Sequence, residues 1–280
     1  MREKVCIVTG ANTGIGLETA RGLSEMNATV IMACRNRERG EAALAGITSG
    51  SKSSSVELML LDLASQQSIR DFAAAFKERH DRLDVLVNNA ATVPGKRELT
   101  VEGLEMQFGA NHIGAFLLTH LLLDLLKATA PSRVVNVAST VHHGARMDFD
   151  DLQAEKKYKF FRVYGQSKLA NVLFTCELAR RLEGTGVTAN CLHPGVVRTK
   201  ILRDVRGPLG LIIKYGTYLL SSPRSGAKTS VYLASSPEVD GVSGKYFVKC
   251  REAQSSERSR DEADARRLWE ISEQLAGLGA

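Results

Sequence analysis

Tyr164 and Lys168 stand four residues apart in Val163-Tyr164-Gly165-Gln166-Ser167-Lys168-Leu169. On a helix that spacing places a phenol and an ammonium on one face, one above the other. A lysine held there favours phenolate over phenol and would draw the tyrosine pKa down from about 10 toward working pH. A tyrosine tuned in this way gives a proton to, or takes one from, an alcohol or carbonyl oxygen. The same pair also occurs on ordinary solvated helix faces, so its meaning depends on its surroundings. A second group is Gly10-Ala11-Asn12-Thr13-Gly14-Ile15-Gly16, which follows a short apolar run and precedes a helical stretch. That layout offers free backbone N–H groups and a positive helix end to a pyrophosphate. Gly10 would allow the tight turn, Gly14 the approach of phosphate to the backbone, and Gly16 close packing of helix on strand. The spacing is G-x-x-x-G-x-G, not G-x-G-x-x-G, so the strand-to-helix context carries the reading.

The elements that must hold these groups alternate along the chain. Strand-like runs cover Val5–Thr9, Thr29–Ala33, Val56–Leu61, Leu83–Val87, Arg133–Ala138, Val187–Leu192 and Lys245–Val248. Helical stretches lie between them at Leu17–Glu25, Arg39–Ile47, Ser65–Arg79, Val101–Ala128, around Tyr164, and at Ser225–Ala234. The second strand runs into Cys34-Arg35-Asn36-Arg37. An acid at that strand end would bind the ribose hydroxyls of NAD; a thiol followed by a guanidinium favours the 2′-phosphate of NADP, unless the arginines are ordinary surface cations. Asp62-Leu63 closes the third strand, and Asp62 could accept from an adenine amino group or cap the next helix. Asn111 and Gly114 are poor mid-helix residues, so the long helix should kink there and free a carbonyl. The fifth strand delivers Ser139 at its C-terminal end, where open α/β sheets bind ligands. The charged stretch Gly144–Arg162 is too long for a minimal connection and would wall a substrate cleft. Leu209–Leu220 is apolar with Lys214, Tyr215 and Tyr218 interleaved, and reads equally as a buried helix or as a lid. In the tail, Asp261–Leu278, one helical stripe carries Leu268, Ile271, Leu275 and Leu278; it would dock on the body or on a partner helix.

Composition narrows the class. The chain has 280 residues, 44% of them hydrophobic and 24% charged, enough for one packed core. Its net charge of +6 comes from cations interspersed with acids, which argues against nucleic-acid binding. The five cysteines, Cys6, Cys34, Cys176, Cys191 and Cys250, are odd in number and far apart, as expected of thiols in a reducing compartment. With neither a CxxC nor an HExxH motif, no metal is expected. Ala115–Leu126, the longest apolar stretch, is interrupted by His120 and Asp124 and is too short to span a bilayer. Strand-like sequence begins at Lys4, without a signal peptide, so the expectation is a cytoplasmic protein with at most peripheral membrane contact.

Thr9-Gly10-x-x-x-Gly14-x-Gly16, Asp62-Leu63, Asn88-Asn89-Ala90, Asn111, Ser139, Tyr164-x-x-x-Lys168 and Pro194-Gly195-x-x-x-Thr199 occur in the order seen in short-chain dehydrogenases/reductases. The chain resembles that family from about residue 3 to 250. Ser167–Phe174, His193–Val197 and Leu268-Trp269-Glu270 resemble its retinol dehydrogenase branch. The resemblance implies an α/β, single-domain Rossmann fold: a doubly wound seven-stranded parallel sheet with helices on both faces. The catalytic and dinucleotide-binding domain would span 1–250, with an amphipathic helix in a 251–280 extension packed on it.

Roles follow from the resemblance. Tyr164 would be the acid/base, and Lys168 would lower its pKa and hold the nicotinamide ribose. Ser139 would bind the substrate oxygen, and Asn111 would anchor a water continuing a proton relay. Gly10, Asn12, Gly14, Ile15 and Gly16 would cradle the pyrophosphate, Arg35 the 2′-phosphate, Asp62 and Leu63 the adenine, and Asn89 and Ala90 the adenosine-side ribose. Pro194, Gly195 and Thr199 would complete the NADP(H) set, Thr199 on the carboxamide. The family's Asn-Asn-Ala-Gly reads Asn88-Asn89-Ala90-Ala91 here, a difference of one methyl. Retinol-oxidising relatives usually carry an N-terminal hydrophobic anchor that this sequence does not show, which weakens the case for a membrane-delivered retinoid. The leading expectation is an NADP(H)-dependent oxidoreductase interconverting an apolar alcohol and its aldehyde or ketone, retinol/retinal-like by preference, with a homo-oligomer left open. The alternative is a non-catalytic NADP(H)-binding regulator or scaffold using its C-terminal helix as contact.

Overall fold

The computed structural model of the protein describes residues 1–49, 55–195 and 222–278. Thr199, the 209–220 stretch and part of the 46–55 loop therefore lie outside the described residues.

Every residue of β1 (Val5–Thr9) is buried, as is required of a strand covered on both faces. Alternate side chains go to opposite sides: Ile7 joins one apolar cluster, Cys6 and Val8 the other. The chain then follows α1 (Gly14–Glu25), β2 (Thr29–Cys34), α2 (Arg37–Thr48), β3 (Val56–Leu60), α3 (Gln66–Arg79) and β4 (Val85–Asn88). Asn36 and Ser65 cap α2 and α3, accepting from the N–H groups of Arg39 and Ser68. So Ser65, not Asp62, is the cap of α3; Asp62 accepts instead from the Ala64 N–H at 3.0 Å.

The long helix expected from Val101 to Ala128 starts later and is broken. Thr100 and Leu104 bond to each other, and Glu105 caps α4 (Met106–Phe108) by accepting from Gln107 and Phe108. Gly109–Ile113 is a π turn, followed by α5 (Gly114–Leu121) and α6 (Leu123–Ala128). The kink expected at Asn111 is this π turn, which takes one carbonyl out of the regular ladder.

After β5 (Ser132–Val137) come a short 3₁₀ turn (Thr140–Gly144), α7 (Phe160–Arg181), β6 (Val187–His193), α8 (Pro223–Ser235), β7 (Tyr246–Val248), β8 (Arg251–Ala253), a second 3₁₀ turn (Glu257–Arg260) and α9 (Glu262–Leu275). The strand order is β3-β2-β1-β4-β5-β6-β7-β8, all parallel except the β7–β8 pair. This is a doubly wound Rossmann sheet, and its order reverses between β1 and β4. Among the described residues it has eight strands where seven were expected. Lys249 and Cys250 both take positive φ, 52° and 60°, and turn the chain in a two-residue hairpin. Neither residue is Asn or Gly, so the turn carries no sequence signal, and Arg251-Glu252-Ala253 is too short and polar to read as a strand.

Candidate active site

The first site residues are set by β1 and α1. Gly10 and Gly14 take φ of +65° and +59°, values that L side chains rarely adopt. A Cβ on Gly16 would collide with the Gly10 carbonyl and with Asn89, so α1 sits directly on the turn; above Gly14 the space is open. Thr13, at the N-cap of α1, makes no side-chain cap, and the first turn carries no acid. The N–H groups of this helix end are unspent and its charge is uncompensated, which fits a pyrophosphate.

Asn89 is turned inward. Its Nδ2 donates to the Thr9 carbonyl at 2.7 Å, while the Asn89 and Ala90 N–H groups donate to the Thr9 hydroxyl at 2.9 and 3.0 Å. This pair thus clasps the β4 end to the glycine turn. Cys34 is also buried, beneath the turn, where burial pushes its thiol up to about 11 against the pull of the Ala11 and Asn12 N–H groups. Arg35 is 72% exposed with Nη1 4.0 Å from Asp62, so cation and acid share the rim beyond β2 and β3. Leu63 lies below that rim, its carbonyl tight against Gly114. Pro194 and Gly195 follow β6, with Gly195 at φ +87°. Asn12 and Ile15 are partly exposed in the turn.

Ser139, Tyr164, Lys168 and Asn111 come together beyond β5. The close approach of α7 to the turn after β5 depends on Gly165, where a Cβ would stand 3.2 Å from that of Ala145. It brings the Tyr164 phenol into electrostatic reach of the Ser139 hydroxyl. Lys168 is buried one turn on, and its Nζ donates to the Val137 carbonyl at 2.8 Å. Burial pushes Lys168 down to about 8, and it pushes Tyr164 up, with the Ser139 hydroxyl pulling the other way. The expected lowering of Tyr164 by Lys168 is therefore not what this geometry gives. Nζ lies 5.8 Å from the ring centroid, and burial of the phenol sets the direction of its shift.

Asn111, 1% exposed, accepts from the Thr92 N–H at 2.7 Å and donates to the Thr92 carbonyl at 3.0 Å and the Ser167 hydroxyl at 3.3 Å. Ser167 in turn donates to the Tyr164 carbonyl at 2.9 Å, so the π turn and the Tyr164 backbone are joined. Below them a buried polar chain locks the elements: Asn88 donates to Thr119 and Asn136, and Asn136 to Thr175 on α7, each at 2.9 Å. Sequence reasoning assigned no role to Thr9, Gly165, Ser167 or His142. Only Gly165 left a signal, as a glycine inside a helix that holds it at some cost.

An uncapped helix end after β1 and a tyrosine beside Ser139 beyond β5, both at the C-terminal ends of parallel strands, outline a dinucleotide-dependent oxidoreductase site. Residues 4–209 match the family model described as short chain dehydrogenase, and the chain belongs to that family. It is retinol dehydrogenase-like within it. The chain is 47% identical to human retinol dehydrogenase 14 over 296 residues, 99% of this chain and 88% of that protein. It is 47% identical to human retinol dehydrogenase 13, covering 99% and 86%. Among solved structures, an uncharacterized protein of Mycobacterium paratuberculosis aligns with TM-score 0.80 at 35% identity, covering 99% of this chain and 94% of that one. The RhlG/NADP active-site complex of Pseudomonas aeruginosa aligns with TM-score 0.72 at 26% identity, covering 88% and 94%.

Proposed function

We propose that the protein is an NADP(H)-dependent oxidoreductase interconverting an apolar alcohol and its aldehyde or ketone, a retinol/retinal-like compound by preference. The observation that carries this reading is the Tyr164 phenol beside the Ser139 hydroxyl, one helical turn from buried Lys168, at the same C-terminal end of the sheet as the uncapped phosphate turn. Bound nicotinamide supplies or takes the hydride. The Ser139 hydroxyl donates a hydrogen bond to the substrate oxygen, and the Tyr164 phenol gives that oxygen its proton. Burial raises the phenol above its ordinary value, so at neutral pH it is protonated, the form that carbonyl reduction needs. Lys168 would return the proton to the tyrosine through a relay that a water anchored at Asn111 continues. Exposed Arg35 and the inward-turned Cys34 favour the 2′-phosphate, because no carboxylate ends β2 to repel it. An apolar substrate is supported by the exposed Val141 and Phe161, two residues after Ser139 and three before Tyr164, and by the names of the relatives.

The scaffold alternative loses its main support. Leu268 and Trp269 of the C-terminal helix are buried against the body, so that stripe is not free for a partner.

The test is initial-rate NADPH consumption with all-trans-retinal, a medium-chain aldehyde and a steroid ketone, repeated with NADH. Retinal turnover with NADPH should exceed that with NADH. Tyr164→Phe should lower it by at least about a hundredfold while NADPH affinity changes little. Undiminished turnover in Tyr164→Phe would remove Tyr164 as the acid.

A further inference from the structure

The residues after Ser139 include a histidine for which the chemistry above has no use. His142 is fully buried in the 3₁₀ turn that Ser139 begins. Its Nδ1 lies 2.6 Å from the Ser139 carbonyl oxygen, and its own N–H also donates to that oxygen at 3.2 Å. On the far side of the ring, the Ser256 N–H donates to Nε2 at 3.1 Å. A backbone N–H can only donate and a carbonyl can only accept. Nε2 must therefore be the bare nitrogen, and the single ring proton sits on Nδ1. Both partners require the same tautomer. The ring is held edge-on against Tyr246, with centroids 4.9 Å apart, and lies tilted against His143 at 4.1 Å. Nearby, Arg258 donates to the Ala145 carbonyl at 3.0 Å, a second bond between the C-terminal segment and the turn that carries Ser139.

We propose that His142 is a positioning residue. As a neutral imidazole protonated on Nδ1 it fixes the Ser139 peptide, and with it the hydroxyl that meets Tyr164, and it takes its own orientation from Ser256 in the C-terminal segment. The proposal rests on the reading of Ser139 as the group that binds the substrate oxygen. The physical reason is leverage. Ser139 is an extended residue between a strand end and a single turn; its carbonyl takes one long backbone bond, from the His142 N–H, and the imidazole adds a shorter one to the same oxygen. Small displacements of a group that must contact a reacting atom are expensive in rate. A residue far along the chain thus governs the serine through one ring.

Two readouts test it. In the folded wild type, the imidazole ¹⁵N signals of His142 should report a protonated Nδ1 and a bare Nε2; the opposite tautomer overturns the proposal whatever the turnover. For rate, NADPH consumption with the best carbonyl substrate is compared across variants. His142→Phe keeps an aromatic ring but no donor, and should lower kcat by about tenfold or more with NADPH affinity within about twofold. His142→Asn can still donate from Nδ2 near the position of Nδ1, and should recover kcat to within about threefold of wild type. Should His142→Phe fail to fold, Ser256→Pro removes the distal N–H alone from the ring, at a φ of −62° that proline adopts freely. It should lower kcat by about threefold or more, whereas Ser256→Ala, which keeps the N–H, should not. A folded His142→Phe with wild-type kcat, an asparagine no better than phenylalanine, or a Ser256→Pro no slower than Ser256→Ala each overturns the positioning role. Ser139→Ala separates the two levels. If it abolishes turnover while the His142 variants do not, only the positioning role falls; if it retains turnover, the Ser139 reading falls and His142 with it.

Discussion

Lys168 carries a consequence for stability that can be measured without any substrate. Its ordinary pKa of 10.5 drops to about 8 in the fold because burial disfavours the ammonium. Between those values the unfolded chain binds this proton more often than the folded one does, so stability rises with pH across the window. Below pH 8 the penalty is complete and constant; above 10.5 it has gone. The size is on the order of 3 kcal/mol, reduced by the bond to Val137. Urea unfolding of cofactor-free wild type and Lys168→Met at steps from pH 7 to 10 isolates this group. The difference between them should move in favour of the wild type as pH climbs above 8. A pH-independent difference would show that the buried amine does not titrate there. The cost is retained where the site needs it, since Nζ ends one turn from the phenol and at the end of β5.

Among the elements, the β1 turn with α1 is the one whose local conformation is most constrained. Gly14 is demanded by its φ alone, since nothing stands near its Cβ, whereas Gly16 is demanded by contact with the Gly10 carbonyl and Asn89. Gly16→Ala should therefore push α1 off the turn and disturb the Asn89–Thr9 clasp. The expected result is a stability loss of about 1–3 kcal/mol and NADPH binding weakened by about tenfold or more, read by urea unfolding and fluorescence titration. Unchanged NADPH affinity would place the phosphate elsewhere. Glycine spacing made this turn legible in the sequence, because the backbone requirement is local. The π turn was legible only as a weak point: Asn111 and Gly114 marked where a helix would yield, but Thr92 and Ser167, which hold Asn111 in place, belong to other elements.

At the level of the molecule, the chain beyond residue 250 returns to the sheet as β8 and then lays α9 along α7. Trp269 sits edge-on against Phe116 at 4.9 Å and beside Phe174 at 5.9 Å, with the Arg181 guanidinium 4.3 Å over its indole. His112, next to Asn111, places Nε2 2.8 Å from the Ser272 hydroxyl, which itself donates to the Leu268 carbonyl. Two buried histidines thus tie the turns that carry Asn111 and Ser139 to the C-terminal segment, His112 through Ser272 and His142 through Ser256. Trp269→Ala should cost about 3–5 kcal/mol, seen as a fall in Tm of roughly 6–15 °C. A fall below about 2 °C would mean that α9 adds little to the body's stability.

The sequence by itself determined the alternation of strands and helices, the glycine turn, the Tyr164–Lys168 spacing and the apolar stripe of the last helix. Each of these is written in residues a few positions apart, where backbone geometry alone links type to place. Only the tertiary structure decided that Lys168 turns to Val137 and that burial raises Tyr164. Likewise it alone showed that Asn89 serves Thr9, that an eighth strand reverses at Lys249-Cys250, and that His142 joins Ser139 to Ser256. Most of those partners are separated by tens of residues or more, so no local spacing encodes them. Desolvation in turn depends on how many distant atoms close over a group, which exists only once the chain is packed.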